Sequence, residues 1–114
     1  MRCNKFYGVE HIVESEGVPK CSCGGTVKPD VVLYEESLDG DTIRGAVNAI
    51  SRADTLIIAG TSLTVYPAAG MVDYFRGKNL IVINMTPTPR DSYATLCIHG
   101  KVGETLKQVN DLLE

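Results

Sequence analysis

The residues of this chain best suited to chemistry are its thiols. Cys21-Ser22-Cys23-Gly24-Gly25 sets two of them one residue apart on a turn that glycine allows to fold tightly. Closely spaced thiolates followed by glycines are how a zinc knuckle is built, because each sulfur must come within ~2.3 Å of a common ion. Cys3 precedes Cys21 by seventeen intervening residues, within the usual span between the halves of a four-cysteine site. Spacing therefore nominates Cys3, Cys21 and Cys23, three thiols of a four-ligand set. The usual first half is Cys-x-x-Cys, and counting back from Cys3 puts its partner one position before Met1, so the expectation is a chain that starts one residue late. The competing reading is a group of small, partly buried thiols without metal. Cys97 lies in the apolar run Leu96-Cys97-Ile98 and reads as a core residue of a strand, and His11 reads as a surface histidine.

The second stretch with chemical potential is Gly60-Thr61-Ser62-Leu63-Thr64-Val65-Tyr66-Pro67-Ala68-Ala69-Gly70. Before it, Thr55-Leu56-Ile57-Ile58-Ala59 is a short apolar run of the buried parallel kind; after it, Pro67 suits the first turn of a helix. A strand-to-helix turn with glycine and small hydroxyls suits phosphate or ribose oxygens. Thr and Ser also cap helices in folds that bind nothing, so the stretch is ambiguous by itself.

These residues need a scaffold. A chain of 114 residues with 44% hydrophobic content has the size of one domain. Its formal net charge of −3 and the lack of a basic run argue against nucleic acid or an anionic membrane as partner. No 18-residue apolar stretch occurs and Met1 to Lys5 does not open a signal peptide, so the expectation is a soluble, cytoplasmic chain. Val9 to Val13 carries a short helical pattern, and Lys28 to Glu36 is expected to be an extended strand whose exposed edge can pair with a peptide, ending in an acidic loop. Ile43, Ala46, Val47 and Ile50 mark a helix with Asp41 placed to cap it. The helix after Pro67 is expected to reach Arg76 and stop at Gly77. Leu80 to Ile83 and Leu96 to Ile98 read as further strands, and Val102, Leu106, Val109 and Leu113 as a last amphipathic helix. Alternating strands and helices imply an α/β unit with a parallel sheet, whose ligand lies off the carboxyl ends of the strands. That rule selects Gly60-Thr61-Ser62, Asn84-Met85-Thr86 and His99 to Val102 as one edge.

Taken together, the Gly60-Thr61-Ser62-Leu63 and Val65-Tyr66-Pro67-Ala68-Ala69 segments, Lys28-Pro29-Asp30-Val31-Val32, Asn84 and the cysteine knuckle resemble the carboxyl-terminal half of a sirtuin, a Sir2-type NAD-dependent protein deacylase. The resemblance runs over essentially the whole chain. It implies a zinc-binding module, incomplete, over 1–30 and the second half of a doubly wound, Rossmann-like NAD-binding sheet over 31–114. It also implies NAD and zinc as cofactors and acyl transfer from a lysine of a protein or peptide to ADP-ribose. By similarity, Gly60, Thr61 and Ser62 would contact the nicotinamide-side ribose and phosphates, Asn84 the adenosine ribose, and Lys101 and Val102 the adenine, with Val65, Met85 and Thr86 also among the cofactor-binding residues. Val32 would line the acyl-lysine tunnel, and Leu33, Tyr34, Glu35 and Glu36 would pair with the substrate backbone, with Glu35 standing where the family usually has glycine. The family carries a Gly-Ala-Gly loop, a Gln-Asn-x-Asp segment and a His-Gly base motif ahead of the zinc module, and none precedes it here; His99-Gly100 falls at the adenine end, so the resemblance implies no catalytic residue. The expectation is a truncated chain, inactive alone, with the Thr55 to Ala59 edge open to self-association or docking. The alternatives are a non-catalytic nucleotide- or protein-binding half-domain and a small zinc-knuckle interaction protein.

Overall fold

A computed structural model describes residues 2–33 and 35–114. They form two compact units, Met1–Ser37 and Leu38–Glu114.

The first unit holds one short helix, α1 (Val9–Val13), and a tight loop closed by an antiparallel bridge between Lys20 and Thr26. Inside that loop Cys21 N–H donates to Gly25 O and Gly24 N–H to Cys21 O, both at 2.8 Å. Gly24 sits at φ +81°, a left-handed conformation that costs glycine nothing. The expected strand over Lys28 to Glu36 does not form among the described residues: Val31, Val32 and Leu33 are more than half exposed and join no ladder. Proline and β-branched residues favour extended backbone, but a strand also needs a partner for its N–H and C=O groups.

In the second unit, α2 (Gly40–Arg52) half-buries Ile43, Ala46, Val47 and Ile50, the face that the helical period selects. Its cap is Asp39 and not Asp41: the Asp39 carboxylate accepts Thr42 N–H at 2.8 Å and the Thr42 hydroxyl at 2.7 Å. The capping oxygen must reach the third helical N–H, and the Asp39-x-x-Thr42 spacing meets that need. Asp41 instead pairs with Arg44 one turn on.

Three parallel strands follow, β1 (Thr55–Ala59), β2 (Asn79–Ile83) and β3 (Leu96–Ile98), in that order across the sheet. Register pairs Ile58 with Val82 and Val82 with Cys97, so β2 is central. Ile58, Leu80 and Val82 make the core, with Leu56, Leu63, Val72, Phe75 and Ala94 packed around it. The expectation of a strand buried on both faces is not met in β1, where Ile57 is 53% exposed. A parallel strand is buried twice only where helices cover both faces.

The helix after Pro67 is much shorter than expected: α3 covers Ala68–Met71, continues as a single 3-10 turn over Val72–Tyr74, and Phe75 is extended. Gly70 and β-branched Val72 are weak helix formers, and leaving the helix lets Phe75 pack on the core. Gly77 is therefore not a helix stop. A Cβ there would lie 2.5 Å from the carbonyl oxygens of both Ala53 and Asp54, so glycine is required by a close backbone approach. The last helix, α4 (Val102–Leu113), forms as the pattern indicates, yet Leu106, Val109 and Leu113 stay largely exposed. Among the described residues no helix is long and apolar enough to cross a membrane.

Candidate functional site: a strand-end edge and two thiol clusters

Parallel pairing brings the ends of all three strands to one edge. Gly60 N–H donates to Ile83 O at 2.9 Å and Asn84 N–H to Ile98 O at 3.1 Å, so the ladder runs one residue past β1 and β2. Gly60 adopts φ +66°, which turns the chain off β1, and a Cβ at this position would touch the Val102 side chain at 3.5 Å. The loop that follows is ordered by its own hydroxyls, with Thr61 Oγ1 accepting Leu63 N–H at 3.2 Å and the Ser62 and Thr64 hydroxyls 2.8 Å apart. Leu63 takes φ +55° while packing on the core, which leaves Thr61, Ser62 and Val65 exposed at the edge. Asn84 donates its amide to Thr86 O at 3.0 Å and to the Thr86 hydroxyl at 3.2 Å, fixing the side chain on its own loop; Met85 is exposed. Lys101 is the N-cap of α4, makes no side-chain cap and binds Glu104 at 3.0 Å. The sheet thus gathers Gly60, Asn84 and Lys101-Val102, which are far apart in sequence, on adjacent strand ends. Such an edge presents backbone N–H groups, hydroxyls and an amide, the donors that sugar and phosphate oxygens need.

In the first unit the thiols of Cys3, Cys21 and Cys23 lie within 4.8 Å of one another. None is in a disulfide, and Cys3 Sγ is 3.4 Å from Cys21 Sγ. Tyr7, which sequence reasoning missed, points its hydroxyl at Cys21 Sγ from 3.2 Å and accepts Ser22 N–H at 3.0 Å. No spacing rule announces it, because the contact depends on how the segment after Cys3 folds back. The Cys21 thiol is drawn down to about 6, first by the Cys23 backbone N–H and then by the Tyr7 hydroxyl. At Cys3 the Lys5 backbone N–H pulls downward, but the Cys21 and Cys23 thiols leave it above its ordinary value. Three converging sulfurs, with the Cys21 thiol drawn below its ordinary value, fit a zinc-type ion. His11 stands apart from them: its Nε2 is 3.0 Å from Lys20 O and its ring stacks on Tyr7 at 4.2 Å between centroids.

The chain turns sharply between Leu33 and Glu36, where Glu36 N–H donates to Leu33 O at 3.1 Å and the Glu36 carboxylate accepts Leu33 N–H at 2.9 Å. Glu35 sits at φ +72°, a third-position turn geometry that favours glycine. Glu35→Gly is expected to stabilise this turn by about 1 kcal/mol, since a left-handed non-glycine residue costs about that much. Thermal unfolding of the two chains side by side checks it, and an unchanged or lower midpoint for Glu35→Gly would contradict it. Tyr34, the remaining residue of the expected peptide-pairing segment, lies outside the described residues.

A cluster that the sequence reading did not single out occupies β3. Cys97 Sγ is 3.5 Å from His99 Nε2, which is 3.0 Å from Asp91 Oδ2. The Thr88 hydroxyl, His99 and Thr88 N–H hold the Asp91 carboxyl well below the usual carboxylate range, whereas burial and the Asp91 charge push the Cys97 thiol up. The Cys-x-His spacing was the available signal; Asp91, in a proline-bearing loop, carried none.

A parallel β-sheet with ligand-type loops at its carboxyl edge, on one chain with a three-thiol knuckle, defines half of a Rossmann-like nucleotide-binding fold. The Sir2 family model matches residues 1–67. The chain is 61% identical over 111 residues to an NAD-dependent protein deacetylase of Clostridium perfringens and 53% identical to one of Clostridium acetobutylicum. It covers 96% of itself in both alignments but 46% and 45% of those relatives, so it spans about half their length. Among solved structures it resembles Sir2 with a p53 peptide and NAD+, with TM-score 0.78 and 38% identity over 96% of this chain and 48% of that one. A Sir2 protein bound to a propionylated peptide gives TM-score 0.80 and 37% identity over 96% and 49%. The chain belongs to the Sir2 family.

Proposed function

We propose that this chain supplies the carboxyl-terminal wall of the NAD site, and the peptide-pairing segment, of an NAD-dependent protein-lysine deacylase. The observation that carries the reading is the convergence of Gly60-Thr61-Ser62, Asn84-Met85-Thr86 and Lys101-Val102 on one sheet edge, each following a different part of the chain. Relatives named as NAD-dependent protein deacetylases, and structures with NAD+ and acylated peptides, support it. Gly60, Thr61, Ser62 and Val65 would face the nicotinamide-side ribose and phosphates, Asn84 with Met85 and Thr86 the adenosine ribose, and Lys101 and Val102 the adenine. Exposed Val32 would contact the acyl-lysine, and Leu33, Glu35 and Glu36, exposed at the turn, would meet the peptide backbone. Cys3, Cys21 and Cys23 would hold zinc, which acts structurally by fixing the knuckle. No residue of this chain is assigned as the base, because the family's base motif lies ahead of the zinc module and both histidines here, His11 and His99, lie within or after it. The isolated chain is thus expected to bind without turnover, and deacylation of an acetylated peptide by it would overturn that statement.

Calorimetric titration with ADP-ribose tests the binding. We expect saturable uptake by the purified chain and a loss of about tenfold for Asn84→Ala, the size of one hydrogen bond to a polar ligand group. Absence of binding by the parent chain, or equal binding by Asn84→Ala, would count against the assignment. The second reading, a nucleotide-binding half-domain without catalytic partnership, is favoured if ADP-ribose binds and added acyl-peptide makes no difference.

The outer edge of β1 pairs with no strand among the described residues, which leaves a row of backbone donors and acceptors beside the exposed Ile57. We assign this edge to strand addition, by a partner or by a second copy of the chain. Sedimentation is expected to show concentration-dependent association that weakens in Ile57→Lys; a clean monomer at high concentration would refute it. We further assign the protein to the cytoplasm, where its four thiols would stay reduced, and cell fractionation checks this.

A further inference from the structure

We propose that Asp91, Cys97 and His99 form a second metal site, separate from the cysteine knuckle, that takes a zinc-type divalent cation through one oxygen, one sulfur and one nitrogen. Their ligand atoms lie within 4.8 Å of one another, with sulfur to nitrogen at 3.5 Å and nitrogen to oxygen at 3.0 Å. Ligands ~2.3 Å (sulfur) and ~2.05 Å (nitrogen) from a tetrahedral ion stand ~3.6 Å apart, so the Cys97 to His99 spacing is already that of a bound pair. The nitrogen to oxygen separation has only to open slightly.

The fold explains the convergence. Cys97 and His99 are two residues apart on an extended backbone, so they share one face of the sheet. The register of β3 on β2 holds that face, through Val82 with Cys97 and Ile83 with Ile98. Asp91 opens the 3-10 turn Asp91–Tyr93 that leads into β3, which returns its carboxylate to the same place. The carboxylate is aimed by Thr88, whose hydroxyl donates to Oδ1 at 2.5 Å and whose N–H donates to Oδ2 at 3.1 Å. Thr88 is itself buried, so this support is rigid. A buried hydroxyl that orients a ligating carboxylate is the arrangement outer-shell partners provide in metal sites. His99 is half exposed, which leaves solvent access for the ion and room for a water in the fourth position. On binding, the metal–sulfur bond replaces the thiol S–H, whose proton passes to solvent, and the cation takes the place of the Asp91 to His99 hydrogen bond. The competing description is an aspartate–histidine pair beside a small thiol, with no affinity for metal.

The test uses the full chain, stripped of metal and then loaded with excess zinc under reducing conditions, desalted, and analysed for zinc per chain. Two equivalents are expected in the parent, and one in Cys97→Ser and in His99→Gln, which leave the knuckle thiols untouched. Thr88→Val should retain the second ion with affinity reduced about tenfold. A readout without substitution runs in parallel: alkylation of Cys97, followed by peptide mass spectrometry, should slow at least about tenfold when zinc is added, as expected for a coordinated thiolate. Zinc content that is the same in parent, Cys97→Ser and His99→Gln, or Cys97 alkylation indifferent to zinc, would overturn the proposal.

Discussion

Val82→Asp is expected to unfold the Leu38–Glu114 unit or to cost it more than about 4 kcal/mol. Val82 is the fully buried side chain of the central strand, at 0% exposure, with Ile58 and Cys97 as its register partners on either side. A carboxylate at that point is removed from water, and the surrounding Ile58 and Leu80 offer it no hydrogen bond. Domains of this size are stable by only about 5–15 kcal/mol, so one such group takes a large share. Val82→Ala separates charge from cavity, because it removes two methyl groups at about 2 kcal/mol. Urea unfolding followed by circular dichroism provides the comparison. If Val82→Asp stays within about 1 kcal/mol of the parent, the assignment of this core is wrong.

Gly77→Ala is the second large effect, expected at about 3 kcal/mol, and it acts through backbone rather than burial. The added methyl would lie 2.5 Å from the carbonyl oxygens of Ala53 and Asp54. Neither oxygen can rotate away as a side chain would. The Asp54 carbonyl already accepts Lys78 N–H at 2.9 Å and Asn79 N–H at 3.2 Å, and this junction starts the pairing of β1 with β2. Displacing it shifts the register from Thr55 with Asn79 onward, and with it the alignment of Gly60 and Asn84 at the far edge. Thermal unfolding should show the loss, and ADP-ribose binding should weaken in the same variant. An alanine variant with parental stability would mean that the close approach is not there.

The parts of the fold legible in the sequence are those where local pattern and tertiary need agree. Ile43, Ala46, Val47 and Ile50 announced α2, and Leu80 to Ile83 announced β2, because burial selects the same positions that period does. Where geometry between distant segments decided, the reading failed. Gly77 resembled a helix stop but answers to two carbonyl oxygens more than twenty residues upstream. One error was local: Asp41 resembled a cap, yet Asp39 has the reach. Lys28 to Glu36 has the composition of a strand and, among the described residues, no ladder to join.

Residue types and spacing alone indicated the α/β class, the three strands β1, β2 and β3, the thiols Cys3, Cys21 and Cys23 as a metal-type set, and the loops Gly60 to Ser62, Asn84 to Thr86 and His99 to Val102 as candidate ligand contacts. They could do so because glycine, proline, thiols and apolar periods act over a few residues. Tertiary structure alone decided which of these loops meet, through ladder bonds from Gly60 to Ile83 and from Asn84 to Ile98. It also added Tyr7 to the knuckle and drew Asp91, Cys97 and His99 together around one point. The physical reason is that parallel strands are joined by long crossovers, so their neighbours are set by sheet pairing and not by nearness in sequence.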